Sequence, residues 1–276
     1  MPSLDKPRCI VLPFWDSQGP GTGLALQFLL SNVIAAHSVF QECWFGWRTA
    51  RIFPLPDELK RYCAGVGGEL DLPRLAVDQN VPCWISGRAD AHAVEVNFFN
   101  ARAQTSVLSE TCAFSTEDDL VGFRRCFIDM LGRAGFPVPR ERSLPMLWPE
   151  RISREGLGRV GTALELFYLH SAFGQPATLE QNLFEAAVAS APDSFMAHDL
   201  LGWAWYRKNL ADQAKESFLG ALVLCPDAIG PMAGLIGCAV LQKDQEAALY
   251  WTARKAFTQG EDVTAAVEKT RRKFHP

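Results

Sequence analysis

His198-Asp199-Leu200-Leu201-Gly202-Trp203-Ala204-Trp205, followed after a turn by Ala214-Lys215-Glu216-Ser217-Phe218-Leu219-Gly220-Ala221 and closed by Pro226, is the stretch on which the fold of the second half turns. His198, Leu201, Gly202 and Trp205 fall at i, i+3, i+4 and i+7, so they share one face of a helix. Phe218 and Ala221 continue the stripe on a second helix, which Pro226 stops because it lacks an amide hydrogen and its ring clashes with the preceding turn. Gly202 and Ala214 are small enough for the two helices of a hairpin to approach closely. The turn between them is Lys208-Asn209-Leu210-Ala211-Asp212.

A single hairpin of this kind cannot bury its own apolar face, so neighbours are expected on both sides. Upstream, Phe184, Ala187 and Pro192 stand 34 positions before Phe218, Ala221 and Pro226, and Ala163-Leu164-Glu165-Leu166-Phe167-Tyr168 supplies the preceding helix. Downstream, Leu235-Ile236-Gly237 and Ala247-Ala248 correspond to Leu201-Gly202 and Ala214, with the turn Gln242-Lys243-Asp244-Gln245 expected to be about one residue shorter. A last helix near Asp262 to Lys273 would cap the array. The spacing of His198, Leu201, Gly202, Trp205, Ala214, Phe218, Ala221 and Pro226 resembles the tetratricopeptide repeat, whose period is about 34 residues. The resemblance implies about three all-α repeats over 158–276, the central one at 195–228, in a module that stacks and binds.

Residues 1–135 read as a separate α/β domain. Cys9-Ile10-Val11-Leu12-Pro13-Phe14 is a short apolar run ending in a turn, and a helical pattern follows from about Leu24 to His37. A second strand near Val39 to Trp47 and helices near Pro56 to Ala64 and Pro73 to Asp78 come next. Pro82 to Arg88, Ala93 to Asn100 and Ser106 to Phe114 form an antiparallel meander in a mixed sheet; in the middle run Val94, Val96 and Phe98 alternate with Glu95 and Asn97, so one face is buried. A helix from about Glu117 to Ala134 covers it. The proline-rich stretch Phe136-Pro137-Val138-Pro139 through Pro145 and Trp148-Pro149 opens a semi-rigid linker over 136–157, across which the halves should be separable.

The order Val11-Leu12-Pro13-Phe14, Trp84-Ile85-Ser86-Gly87-Arg88, Val94-Glu95-Val96-Asn97-Phe98-Phe99-Asn100-Ala101 and Glu117-Asp118-Asp119-Leu120 resembles the TolB-amino-terminal-like domain, which often precedes tetratricopeptide repeats in bacterial proteins. This resemblance spans most of the chain and implies a small α/β domain used for protein contacts or sensing. The nucleotide cyclase or winged-helix domain attached in many relatives has no counterpart here.

With 276 residues, 48% hydrophobic and 21% charged, the chain has the composition of a folded globular protein, and a formal net charge of -4 argues against nucleic acid as its partner. The basic run Lys269-Thr270-Arg271-Arg272-Lys273 suits a helix C-terminus, where cations complement the dipole. Eight cysteines stand without any C-x-x-C pair, mostly in apolar runs, and read as reduced core residues. No run is long and apolar enough for a transmembrane helix and Met1-Pro2-Ser3-Leu4-Asp5-Lys6 lacks the apolar segment of a signal peptide, so the expected compartment is the cytoplasm, away from membranes.

No nucleophile elbow, metal-ligand spacing or catalytic cysteine context is present, so no catalytic residue, metal site or cofactor is expected. Gly19-Pro20-Gly21-Thr22-Gly23 follows the first strand and precedes a helix, where backbone amides could receive an anion; it has no lysine to reach a phosphate, and Pro20 removes one donor. Gly19, Gly21, Thr22 and Gly23 are therefore the candidate anion-binding residues. Asp199, Trp203 and Tyr206 follow i, i+4, i+7 on the face beside the packing stripe, with Arg207 next to them, and are the candidate partner-binding residues unless the two rings pack inward. The expected function is a non-catalytic bacterial adaptor or assembly factor that holds another protein, a complex subunit or client. The alternatives are a sensor of a small anion or nucleotide at the Gly19–Gly23 loop, and an accessory subunit of an enzyme complex.

Overall fold

A computed structural model of the chain describes residues 8–16, 20–37, 41–42, 70–90, 92–101, 108–113, 121–134, 152–173 and 181–274. The helix expected at Pro56 to Ala64, most of the strand near Val39 to Trp47, the Glu117-Asp118-Asp119 helix start and the prolines of the linker lie outside them. The described elements form a mixed α/β fold, with a sheet in the first half and helices throughout the second.

The opening apolar run is β1 (Arg8–Val11), continued by β2 (Trp15–Asp16), and both pair in parallel with β4 (Cys83–Ala89). Val11 lies opposite Ile85 and Trp15 opposite Arg88, so the first strand carries one residue more than its partner between these pairs. That extra residue falls beside Pro13, whose missing amide suits a bulge. On the other edge of β1, β3 (Gln41–Glu42) also runs parallel. β4, β5 (Ala93–Asn100) and β6 (Leu108–Ala113) are the expected antiparallel meander, giving the order β3-β1-β4-β5-β6. Val94, Val96 and Phe98 are the buried residues of the alternation.

The sheet is covered on both faces. The short α2 (Leu72–Asp78), capped by the Asp71 carboxylate at the Arg74 amide (3.1 Å), buries Leu72, Leu75 and Ala76 against Ile10, Leu12 and Trp84. On the opposite face lie α3 (Val121–Arg133) and α1 (Pro20–His37). Phe127 of α3 sits 5.9 Å, centroid to centroid, from Phe98, and Arg133 pairs with Glu110 of β6. Cys112 of β6 and Cys126 of α3 are joined as a disulfide, their Cα atoms 6.2 Å apart. This corrects the reading of every cysteine as a reduced core thiol, since residues on facing elements meet irrespective of sequence spacing. Cys9, Cys83, Cys225 and Cys238 are buried and in the thiol form, as expected, with Cys83 Sγ donating to Asn100 Oδ1 at 3.5 Å.

α1 is the central element of the molecule. Every residue from Ala25 to Ser31 is buried, a run long enough to include all faces of the helix. One side meets β1, β2, β3 and β4; another lies along α4 (Arg154–Phe173), the first helix of the second half. Gln27, buried among apolar residues, donates from its amide nitrogen to the Val11 carbonyl at 3.0 Å. One continuous apolar cluster therefore runs from Cys9 and Phe98 through Leu26 and Leu29 to Leu157, Phe218 and Leu235. Buried residues of both halves belong to this one cluster, and α4 begins inside the last residues read as linker.

The remaining helices are α5 (Gln181–Ser190), α6 (Phe195–Arg207), α7 (Ala211–Leu224), α8 (Ile229–Leu241), α9 (Gln245–Gln259) and α10 (Val263–Arg271), each packed on its sequence neighbour. α6 and α8 end alike. Asn209 (φ 60°) and Lys243 (φ 57°) are left-handed, 34 positions apart, and the next amides, of Leu210 and Asp244, return to the carbonyls of Trp205 and Ala239 at 3.1 and 2.8 Å. These are helix-terminating motifs that satisfy otherwise orphaned carbonyls. Both turns hold three residues between helices, so the later turn is not shorter than the earlier one. Asp244 and Asp262 then cap α9 and α10. Among the described residues no helix is long and apolar enough to cross a membrane.

Candidate functional site

The face proposed from the spacing of Asp199, Trp203 and Tyr206 lies on α6, and what stands opposite it is a row of glycines on α8. Gly230, Gly234 and Gly237 also follow i, i+4, i+7. A methyl group at Gly230 would lie 2.3 Å from Asp199 Oδ2, and one at Gly237 would lie 3.0 Å from the Tyr206 ring. The Phe218 ring of α7 fills the middle: Cβ atoms at Gly202 and Gly234 would come within 2.6 and 2.2 Å of it. Phe218 is thus enclosed by two glycines on two helices, and the α8 glycine that meets it is Gly234 rather than Gly237. Glycine is needed here for close approach, as its lack of a Cβ allows.

Asp199 is wholly buried, not the exposed polar selector its position suggests. Neither carboxyl oxygen has a hydrogen-bond partner of good geometry; the Trp203 indole acts on the carboxyl against the effect of burial without offsetting it. Desolvation pushes the Asp199 carboxyl well above the usual carboxylate range, because water that would stabilise the charge is excluded. The Cys225 thiol, at the C-terminal cap of α7, is in electrostatic reach and is itself raised by burial. α8 begins beside this carboxyl with Ala228 at its N-cap, which has no side chain able to cap it.

Trp203 and Tyr206 are half-buried. Their rings meet edge to face at 5.6 Å, and Trp203 also meets Phe218 at 5.3 Å, so both rings contribute to the helix packing while keeping part of their surface exposed. Arg207 is exposed, with its guanidinium 5.5 Å from the centre of the Phe167 ring on α4. Asp199, Trp203 and Tyr206 therefore follow the side of α6 that meets α8, and Arg207, at the exposed end of the helix, lies against Phe167 of α4. The glycine stripe opposite was legible in Ile229-Gly230-Pro231-Met232-Ala233-Gly234-Leu235-Ile236-Gly237, though sequence reasoning assigned only Gly237 a role.

The Gly19–Gly23 segment has a packing explanation. Pro20 to Gly23 form the first turn of α1; Gly19 lies outside the described residues. Gly23 accepts a hydrogen bond from the Phe14 amide at 3.2 Å, and a Cβ there would strike the Phe14 carbonyl oxygen at 1.9 Å. Thr22 is buried, with its hydroxyl toward Gly158 of α4. His198, on the packing stripe, contacts the Pro192 carbonyl through Nε2 at 2.9 Å. Among the described residues no group of three His, Cys, Asp or Glu side chains is arranged to hold a metal ion.

No protein-family model matches the chain. None of the curated proteins matches it either.

Proposed function

We propose that the chain is a non-catalytic bacterial adaptor or assembly factor, a TolB-like α/β domain fixed to an array of tetratricopeptide-type helical hairpins that holds another polypeptide. The observation that carries the reading is the 34-position recurrence of the helix-terminating turns at Asn209 and Lys243, together with the Phe184 and Phe218 cores at the same interval. Repeats of this kind present the first helices of successive hairpins to a partner. On α6 that surface carries the half-exposed Trp203 and Tyr206 and the exposed Arg207, residue types that contribute most binding energy when desolvated. The anion-sensor reading has less support, because the glycine and threonine of its loop are explained by packing on Phe14 and α4. An accessory subunit of an enzyme complex is one form the adaptor could take.

A cytoplasmic site is part of the proposal and depends on Cys112–Cys126, since disulfides persist in oxidising compartments and are rare in reducing ones. Intact mass of protein alkylated at the moment of lysis reads its state directly. The adaptor reading is tested by purifying the tagged chain from its native host with and without Arg207→Glu. A stoichiometric partner retained by the parent and lost from the folded variant supports the reading; a chain that purifies alone and turns over a substrate contradicts it.

A further inference from the structure

Asp199 is the feature that the packing of the array does not account for. A carboxyl removed from water is ordinarily paired, and here both oxygens lack a proper donor. The side of α8 that faces it carries Gly230, which offers no side-chain donor, followed by Pro231, which offers no amide hydrogen. Trp203, one turn along the same face of α6, has its indole close enough to act on the acid and stays half-exposed. Tyr206, also half-exposed, is the next residue of the line and stands against Gly237. A buried acid in line with two half-exposed aromatic rings has the composition of a cation receptor: ring faces attract a guanidinium or ammonium, and the buried carboxyl, releasing its proton to solvent as the cation enters, supplies the counter-charge.

We propose that the seam between α6 and α8 takes one arginine side chain from the partner polypeptide, with Asp199 as its bidentate acceptor and Trp203 and Tyr206 as its walls. Arginine fits better than lysine, because its planar fork satisfies both carboxyl oxygens at once while its face stacks on a ring. The seam is closed without a partner, so Trp203 swings aside for the guanidinium to enter. This inference rests on the adaptor reading and identifies the chemistry its surface selects.

The test uses the full chain and two pentapeptides, acetyl-Gly-Gly-Arg-Gly-Gly-amide and the same peptide with citrulline, which keeps the shape and loses the charge. Binding is followed by the Trp203 indole resonance, identified by its loss in Trp203→Phe. The expected result is at least a tenfold preference for the arginine peptide, abolished in Asp199→Asn while that variant keeps its helical content and unfolds cooperatively at a temperature no lower than the parent's. Equal binding of the two peptides, unchanged preference in Asp199→Asn, or no shift of the Trp203 resonance at millimolar peptide each overturns the proposal. If Asp199→Asn still retains the native partner but Arg207→Glu does not, the arginine receptor fails while the adaptor stands. If neither substitution affects the partner, the surface itself is wrong.

Discussion

Phe218 between Gly202 and Gly234, and Asp199 against Gly230, are the positions where single atoms decide whether the helices can meet. Gly202→Leu should overpack the Phe218 site and cost about 1–3 kcal/mol, seen as a lower midpoint in urea with an unchanged slope. An unchanged midpoint would mean that α6 and α7 are not packed as described. Asp199 gives a second test through pH. Its carboxyl is raised in the folded state, so between the unfolded value near 4 and the raised folded value the native chain holds the extra proton. The contribution to stability is full at the acid end and falls as pH rises across that window. Asp199→Asn should therefore gain stability relative to the parent at pH 7, with the difference shrinking toward pH 4; a variant equally destabilised at both values would show that the acid is paired in solution. The i, i+4, i+7 line of Asp199, Trp203 and Tyr206 was legible in the sequence. Its burial was not, because a side chain's neighbours across a helix pair depend on the partner helix, and the glycines of α8 bring that partner close.

At the level of elements, the meander, α2, and helices α5 to α10 follow from local pattern: Val94, Val96 and Phe98 alternate, Asp71, Asp244 and Asp262 stand at caps, and Pro192 and Pro226 follow helix ends. Asp244→Ala should cost about 1 kcal/mol by leaving the Ala247 amide unsatisfied, measured by thermal or urea unfolding, and no change would mean that the turn at Lys243 holds α9 without its cap. The role of α1 was missed although its signal was present. From Gly21 to Ala36 the chain has no charged residue, and a helix that is apolar all round must be enclosed on every side. The expectation of separable halves rested on the prolines of 136–149, whereas α1 contacts both the sheet and α4. The Cys112–Cys126 pair was illegible for a different reason, since it joins a strand to a helix across a tertiary contact.

For the whole molecule, a shared core through α1 implies one cooperative unit. The chain should unfold in a single transition with the same midpoint by tryptophan fluorescence and far-ultraviolet circular dichroism, and residues 152–276 expressed alone should lose stability by exposing the α4 surface that Leu26 and Leu29 help to cover. Two resolved transitions, or a fully stable isolated array, would restore the two-domain reading. On the proposed adaptor reading, the contact of α1 with both the sheet and α4 holds the helices of the second half on the α/β half, so that the seam of α6 and α8 is presented to a partner in one geometry. The most direct test of that claim is site-specific photo-crosslinking in the native host, with p-benzoylphenylalanine placed at Arg207, one residue beyond Tyr206 at the exposed end of α6, and, separately, at the exposed Glu216 on α7. A discrete polypeptide captured from position 207 and not from position 216 is the expected result; capture from 216 alone, or the same adducts from both positions, would contradict it.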